Sequence, residues 1–355
     1  METITLQGND GRAIAVARSG LDNFRGHVLA RGDDGYDAAR SIWNMMIDRR
    51  PGLILRCAGT ADVISAVRFA AEHDLLVSVR GGGHNIAGSA LCDGGVVIDL
   101  SPMRAVRVWP GERRAAVQGG ALLGDLDHET QVFGLAVPTG INSTTGVAGL
   151  ALGAGFGWLS RAFGHAADNM LAADIVTADG ALRHVSEAVE PDLFWAIRGG
   201  GGNFGVVTNF EFRCHPVGPS FLSGPVVHRL EDARAVLREY RELARELPDK
   251  ATCWTVLRLA PPLPFLDSKY HGRPVLILVM TYAGETAKGE AALARLRAIG
   301  RPLADGVSPH PYARWQAAFD DLLGPGARNY WKSHDLIDLS DAAIDLMVGA
   351  AETLP

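Results

Sequence analysis

Three consecutive glycines precede a histidine in the stretch LLVSVRGGGHNIAG, residues 75–88. Without Cβ atoms, the backbone amides of Gly81, Gly82 and Gly83 can turn inward and form a concave site for an anion such as a phosphate. The imidazole of His84 would then project from a rigid turn beside that anion. The residues alone leave open an alternative, in which the glycines make a tight connection between two strands and His84 is a structural hydrogen-bonding residue.

Glycine is also concentrated elsewhere in the chain. The 42 glycines bunch at 81–83, 146–157 and 199–205 instead of spreading evenly. Loop geometry alone could account for any single one of them. As a set, three glycine-rich loops that converge on one elongated anionic ligand explain the pattern better.

The elements around the first glycine loop predict a βαβ unit. A buried strand, an amphipathic helix and a second strand follow one another, and the chain then enters a further strand without a helix after the glycines. A Rossmann dinucleotide site needs glycines that open a helix, so that type of site is excluded. These strands cover 53–58, 75–80 and 96–100, and the helix covers 60–73, with Thr60 as N-cap and Val63, Val67 and Ala70 on one face.

Predicted strands and helices continue to follow one another up to residue 216. The Asp179-Gly180 pair is a strong hairpin signal between two strands. The remaining predicted elements are a strand at 113–120, a helix at 121–134, an extended segment at 135–140, the hairpin within 169–186, and a short helix followed by a strand within 190–216.

Composition shifts near HPVGPSFLSGP, residues 215–225, where prolines and glycines cluster and the dense glycine runs stop. Beyond it, predicted strands alternate with amphipathic helices such as 232–248. We therefore predict an α+β protein with an N-terminal segment (1–34), a ligand-binding domain (35–216) and a second domain (217–355).

Charge and composition exclude several classes of protein. The net charge of −6 over 355 residues comes without a basic run, so we expect no nucleic-acid partner. The start of the chain has no secretory pattern and no segment is apolar enough for a bilayer, so we expect a cytoplasmic protein without a membrane partner. Cys57, Cys92, Cys214 and Cys253 show no CxxC spacing, which favours reduced thiols over a disulfide framework or a metal site.

Four motifs together resemble one family. They are VRGGGHNIAG, AVQGGALLGDL, GLAVPTGINSTTGVAGLALGAGFGWLSRAFGHAADNML and DLFWAIRGGGGNFGVVTNFEF. Their order and spacing are similar to those of the berberine-bridge-enzyme-like FAD-linked oxidases, members of the vanillyl-alcohol-oxidase superfamily with a PCMH-type FAD-binding domain. The resemblance covers roughly residues 35 to 345. It implies a PCMH-type FAD-binding domain of two subdomains and a substrate domain with an antiparallel sheet covered by helices.

The resemblance also implies roles for individual residues. Arg80, Gly81, Gly82, Gly83, His84 and Asn85 would form the pyrophosphate loop, and His84 would bond covalently to the 8α-methyl carbon of the flavin. Gln118, Gly119, Pro138, Thr139, Gly140, Thr144, Thr145, Gly146 and Gly149 would line the isoalloxazine ring and the ribityl chain. Gly200, Gly201, Asn203, Gly205 and Val206 would lie at the adenine and phosphate end.

The sequence departs from the family pattern at Asn142, where doubly attached relatives carry a cysteine. The resemblance therefore implies a single covalent bond, through His84, and a less positive flavin potential. Thr145 falls where the family gates the access of oxygen. A compact threonine there favours an oxidase.

Relatives continue past the second domain with strands and a segment that supply active-site groups, whereas this sequence stops at VGAAETLP. We therefore expect a second domain that is incomplete at its C-terminus. Within the chain, NYWKSHDL (329–336) resembles a strand that faces the flavin, on which Tyr330, Lys332 and His334 would share one face as candidate catalytic residues. A solvated structural strand is the alternative.

The function implied is two-electron oxidation of a C–H bond next to a hydroxyl or amine, with hydride transfer to the flavin. The expected partners are a small-molecule substrate and oxygen. Two alternatives stay open at this point: a flavin dehydrogenase that uses another acceptor, and a truncated flavoprotein without catalysis.

Overall fold

The structure is a computed structural model that describes residues 3–21 and 23–354. The chain divides into two compact units. The first contains Met1–Pro216 and Gln316–Trp331, and the second contains Val217–Trp315 and Lys332–Pro355. Residues 316–331 thus belong to the first unit although most of the second unit precedes them in the chain. Within the described residues, no helix is long and apolar enough to cross a bilayer.

The first unit contains thirteen strands and six α-helices among its described residues. In chain order they are β1 (Thr3–Gln7), β2 (Ala13–Ala17), β3 (His27–Ala30), α1 (Tyr36–Arg40), β4 (Leu53–Arg56), α2 (Thr60–Glu72), β5 (Val77–Arg80), β6 (Val96–Asp99), β7 (Val106–Trp109), β8 (Arg114–Gln118), α3 (Leu123–Gln131), β9 (Leu135–Ala136), α4 (Val147–Leu152), α5 (Ser160–Phe163), β10 (Met170–Val176), β11 (Leu182–Ser186), α6 (Pro191–Ile197), β12 (Val206–Arg213) and β13 (His215–Pro216). Single 3₁₀ turns lie at Arg18–Leu21 and Ala167–Asn169.

A four-stranded sheet carries the first glycine loop. Its order is β3-β4-β6-β5, with β4, β6 and β5 parallel and β3 antiparallel at the edge. The central strands are apolar up to their last residues, Arg56 and Asp99, because both faces of the sheet are buried. Leu55 and Ile98 pack against α2, whereas Ile54 and Val97 pack on the opposite side around Tyr36.

A second, antiparallel sheet has the order β11-β10-β12-β8-β7. Successive side chains along its strands point to opposite faces, and one of these faces is apolar and packs against α3, α4 and α6. Phe210 and Phe212 of the central strand are fully buried there. The loop at 199–205 leads directly into this strand.

The second unit is an antiparallel sheet with helices on one face. The strand order is β15-β16-β14-β17, and β18 also pairs with β14. Leu276, Leu278 and Met280 of the central strand pack against the helices, including Leu293 and Val348. Its elements are β14 (Phe221–Arg229), α7 (Ala233–Ala244), β15 (Ala251–Leu259), β16 (Pro274–Tyr282), α8 (Thr286–Arg297), β17 (Ala304–Asp305), β18 (Ser308–His310), α9 (Tyr312–Gln316, whose last residue belongs to the first unit) and α10 (Asp341–Ala351), with 3₁₀ turns at Leu230–Asp232 and Ser268–Tyr270.

The α+β prediction is confirmed, and the buried face predicted for α2 is confirmed by Val63, Val67 and Ala70. The predicted N-cap is wrong, because Thr60 is the first helical residue and Gly59 precedes it without a side-chain cap. The Asp62 carboxylate instead accepts a hydrogen bond from the Ala58 amide, 2.8 Å away. The strand predicted over 329–336 is also wrong, since those residues belong to no helix or strand.

Candidate functional site

A cavity of about 1040 Å³ lies within the first unit, where all three glycine-rich loops meet. This volume suits an elongated ligand, since pockets for drug-sized molecules span roughly 300–1,000 Å³. Twelve of the residues predicted to bind the cofactor line it: Gly81, Gly82, Gly83, His84, Asn85, Thr145, Gly146, Gly149, Gly201, Asn203, Gly205 and Val206.

The start of the loop after β5 is tied to the sheet. The backbone carbonyl of Arg80 accepts a hydrogen bond from the Leu100 amide at 2.8 Å, and no helix follows. Gly83 then takes a φ of +71°, a left-handed conformation that favours glycine. The Gly83 carbonyl in turn accepts from the Trp43 amide at 3.1 Å.

Four successive amides of this loop are available to a ligand. Those of residues 82–85 donate to no backbone or side-chain acceptor within 3–21 and 23–354. One Nη of Arg80 donates to the Ala39 carbonyl, while its Nε is buried without a partner in the described part of the chain. Successive amides that turn toward one point form a site for a phosphate anion.

The second glycine loop packs directly on the first. A β-carbon on Gly82 would lie 2.5 Å from the Cα of Gly146, so the two backbones touch without intervening side chains. By contrast, a β-carbon on Gly149 or Gly202 would meet nothing within 4 Å. Both of these glycines line the cavity, so their missing side chains leave space for a ligand.

His84 is held by contacts on two sides. Its Nε2 lies 3.0 Å from Oγ1 of Thr144, and its ring stacks on that of Trp43 with centroids 5.3 Å apart and planes inclined by 23°. Burial lowers the pKa of His84 to about 4, against the opposite effect of the Asp320 carboxylate. The imidazole is therefore neutral near pH 7, which is the form that can act as a nucleophile.

The returning segment, residues 316–331, forms hydrogen bonds with Trp43, Asn44 and Ser143 of the first unit. The Asp320 carboxylate accepts from the Ser143 amide at 3.0 Å and from the Ser143 hydroxyl. The Trp43 indole donates to the Leu323 carbonyl at 2.6 Å. Asn44 exchanges two hydrogen bonds with the backbone of Asn329, at 2.9 and 3.0 Å.

A buried pair ties α3 to the first residue of this segment. Nε2 of Gln316 donates to Oδ2 of Asp127 at 3.1 Å, and Oδ1 of Asp127 has no partner in the described residues. Desolvation raises the pKa of Asp127 to about 7, against the effect of the Gln316 hydrogen bond.

The other predicted cofactor residues lie behind the cavity wall. The Gln118 side chain accepts from the Ala105 amide at 2.9 Å, and a β-carbon on Gly140 would lie 2.7 Å from Leu150 Cδ1. Thr144 contacts His84 instead of the cavity itself. The residues that do not line the cavity are Arg80, Gln118, Gly119, Pro138, Thr139, Gly140, Thr144 and Gly200.

Tyr330, Lys332 and His334 are not brought together on a strand, because the chain is irregular and exposed from 330 to 338. Tyr330 falls in the first unit, and the other two in the second. The catalytic role of these residues stays a prediction.

Sequence reasoning missed Trp43 and Asp320, which both act on the surroundings of His84. Neither belongs to a glycine motif, and each is far from His84 in the chain. Asn142 was noticed only as a departure from the family pattern, yet its side chain binds Thr144. The buried carboxylate of Asp127 gives no sequence signal beyond an acidic residue within a helix.

The site fits an FAD on the chemistry of these residues. The amides of 82–85, which have no partner within the described residues, suit a pyrophosphate. The open sides of Gly149 and Gly202 leave room for a flat ring system and its chain. The turn at 81–85 carries no carboxylate that would repel a phosphate.

Comparison with known proteins agrees with this assignment. Residues 51–186 match the FAD binding domain family. The chain is 34 % identical over 322 residues to (R)-6-hydroxynicotine oxidase of Paenarthrobacter nicotinovorans, covering 88 % of this chain and 68 % of that protein.

Two solved structures show the same fold. One is 6-hydroxy-D-nicotine oxidase from Arthrobacter nicotinovorans, with a TM-score of 0.76 and 34 % identity over 84 % of this chain and 64 % of that chain. The other is xylooligosaccharide oxidase from Myceliophthora thermophila C1, with a TM-score of 0.72 and 28 % identity over 85 % of this chain and 62 % of that chain. The chain thus spans somewhat less than two thirds of these two proteins. It belongs to the berberine-bridge-enzyme-like FAD-linked oxidoreductases of the vanillyl-alcohol-oxidase superfamily.

Proposed function

We propose that this protein oxidises a C–H bond next to a hydroxyl or amine of a small molecule and passes the electrons to oxygen. The observation that carries the proposal is the row of amides at 82–85, unpaired within the part of the chain that the structure describes, in a cavity formed by three glycine loops. Bound FAD would supply the hydride acceptor, which the protein's own side chains cannot provide.

We further propose that FAD is attached covalently, and only through His84. The neutral imidazole lines the cavity next to the proposed pyrophosphate turn, where its lone pair is available. The four cysteines are buried free thiols, and none of them lines the cavity. A second bond through sulfur is therefore not expected.

The proposed roles of the chain's own residues follow from their chemistry. The amides of 82–85 would bind the pyrophosphate, and the packed backbones of Gly82 and Gly146 would hold the first two glycine loops at a fixed distance. Gly149, without a side chain, would leave room beside the ring. A cytoplasmic location and the catalytic roles of Tyr330, Lys332 and His334 stay predictions.

Substrate and acceptor are tested together in one anaerobic experiment. The purified holoprotein is mixed with 6-hydroxynicotine enantiomers, xylo-oligosaccharides and simple aromatic alcohols, and loss of flavin absorbance is recorded. We expect at least one of these to bleach the flavin, and oxygen to restore the absorbance rapidly with formation of hydrogen peroxide. Rapid bleaching without reoxidation by oxygen would assign a dehydrogenase instead, and a flavin that no compound in the panel reduces would contradict the proposed substrate class.

A further inference from the structure

We propose that Thr144 and Asn142 are positioning residues that keep the proton of His84 on Nε2 and so leave Nδ1 as the nitrogen that bonds the flavin. The inference deepens the proposed function and rests on its covalent attachment. It follows from three distances among atoms of these three residues and from which of those atoms carry hydrogen.

The orientation of the Asn142 amide is fixed first. The Thr144 backbone amide lies 2.9 Å from Oδ1 of Asn142. A backbone N–H can only donate, so the atom that faces it must be an acceptor, the carbonyl oxygen. The flipped amide would place two donors against each other. Asn142 is buried, 5 % exposed, so water does not replace this contact.

The direction of the next hydrogen bond follows from that orientation. Oγ1 of Thr144 lies 2.5 Å from the same Oδ1. A hydrogen must lie between two oxygens at that distance, and only the hydroxyl has one. The hydroxyl therefore donates to Asn142 and has only lone pairs left for other partners.

His84 must then supply the hydrogen for the third contact. Nε2 lies 3.0 Å from Oγ1 of Thr144, whose hydrogen is already used. Nε2 is therefore the protonated nitrogen. A neutral imidazole has one N–H, so Nδ1 carries the free lone pair. Within the described residues Nδ1 has no hydrogen-bond partner, and the stacked ring of Trp43 holds the imidazole plane.

Attachment would form a bond between Nδ1 and the 8α-methyl carbon and break one C–H bond of that carbon. The imidazolium so formed would release its Nε2 proton to solvent, because the Thr144 hydroxyl already donates to Asn142 and neither side chain can hold an added proton. Two protons and two electrons leave in total. Molecular oxygen accepts them and becomes hydrogen peroxide, so atoms and charge balance.

The test uses the full chain with Thr144 changed to valine or serine. Thr144→Val keeps the volume and the backbone amide that binds Asn142, but it removes the hydroxyl. Thr144→Ser restores the hydroxyl. Each flavin-free protein is mixed with FAD, and the flavin that stays with acid-precipitated protein is followed over time. Reversible binding is measured separately by quenching of flavin fluorescence.

We expect Thr144→Val to bind FAD within about threefold of the wild type but to attach it at least tenfold more slowly, and Thr144→Ser to attach it within about threefold of the wild-type rate. In flavin-free protein labelled with ¹⁵N-histidine, the His84 shifts should show protonation on Nε2 in the wild type and a mixture of both forms in Thr144→Val. Attachment by Thr144→Val at the wild-type rate, or a wild-type His84 protonated on Nδ1, would overturn the inference alone. A wild-type protein that releases all its FAD on denaturation would overturn the proposed attachment as well.

Discussion

The backbone of Gly82 lies directly against that of Gly146, so closely that a β-carbon on Gly82 would be 2.5 Å from the Cα of Gly146. Each of these residues belongs to a different glycine loop of the cavity. The contact therefore sets the distance between the proposed pyrophosphate turn and the start of α4.

We expect Gly82→Ala to separate the two loops, since neither backbone can move without disturbing the sheet or helix beside it. Insertion of a methyl group into a tight backbone contact typically costs about 1–3 kcal/mol of the free energy of unfolding. FAD retention should fall together with stability in urea denaturation. Gly111→Ala is the matched control, because a β-carbon there meets nothing within 4 Å. Equal stability and FAD content in both variants would refute the contact.

The depressed pKa of His84 predicts how attachment depends on pH. Because burial lowers that pKa to about 4, the imidazole stays neutral throughout the range from pH 8 to pH 5. The rate of covalent attachment should therefore be nearly constant over that range and fall only as the pH approaches 4. An ordinary imidazole would lose its lone pair below about pH 6.5. A rate that halves near pH 6.5 would show that His84 is not buried as described.

Asp127 should make the fold less stable as the pH rises. Desolvation raises its pKa from 3.8 to about 7, so between these values the folded chain binds more protons than the unfolded chain. The resulting loss of unfolding free energy is absent below about pH 3.8, grows between these two values and is complete above about pH 7.

Asp127→Asn removes that loss while it keeps an oxygen for the Gln316 amide. We expect the variant to gain about 1–4 kcal/mol over the wild type at pH 8, and little at pH 4. Urea denaturation at both pH values measures the difference. Asp321→Asn, the same change at an exposed position, serves as the matched control. A gain that is the same at both pH values would contradict a buried carboxyl with a raised pKa.

Asp320 anchors the returning segment through both of its oxygens, which bind the backbone and the hydroxyl of Ser143. In Asp320→Ala we expect faster amide hydrogen exchange across 316–331 and a loss of about 1–3 kcal/mol, since two charge-assisted hydrogen bonds disappear. Exchange in the second unit at α7 should stay unchanged and serves as the internal control. Unaltered exchange across 316–331 would mean that other contacts alone hold this segment.

The sequence predicts well what depends on neighbours along the chain. The run β4, α2, β5 and β6 follows hydrophobic periodicity, and the Asp179-Gly180 pair marks the turn between β10 and β11. The glycine loop without a following helix is likewise a local pattern. All of these lie where they were predicted, within a few residues at the ends.

Contacts between distant residues escape such reasoning. Ser143 and Asp320 are 177 positions apart, and the stacking of Trp43 on His84 follows no periodicity. Helix α4 was not predicted, because glycines flank and interrupt its short apolar sequence. The strand expected at 329–336 does not form, because a strand also needs a partner for its backbone groups, and no described ladder includes these residues.

The central claim is that FAD occupies the cavity of the first unit and is bonded to His84. Peptide mapping by mass spectrometry tests it most directly: the denatured holoprotein is digested, and the fluorescent flavin peptide is sequenced. We predict one flavin peptide, with the modification on His84, and none from His84→Ala. Flavin found on another residue, or released entirely before digestion, would contradict the account.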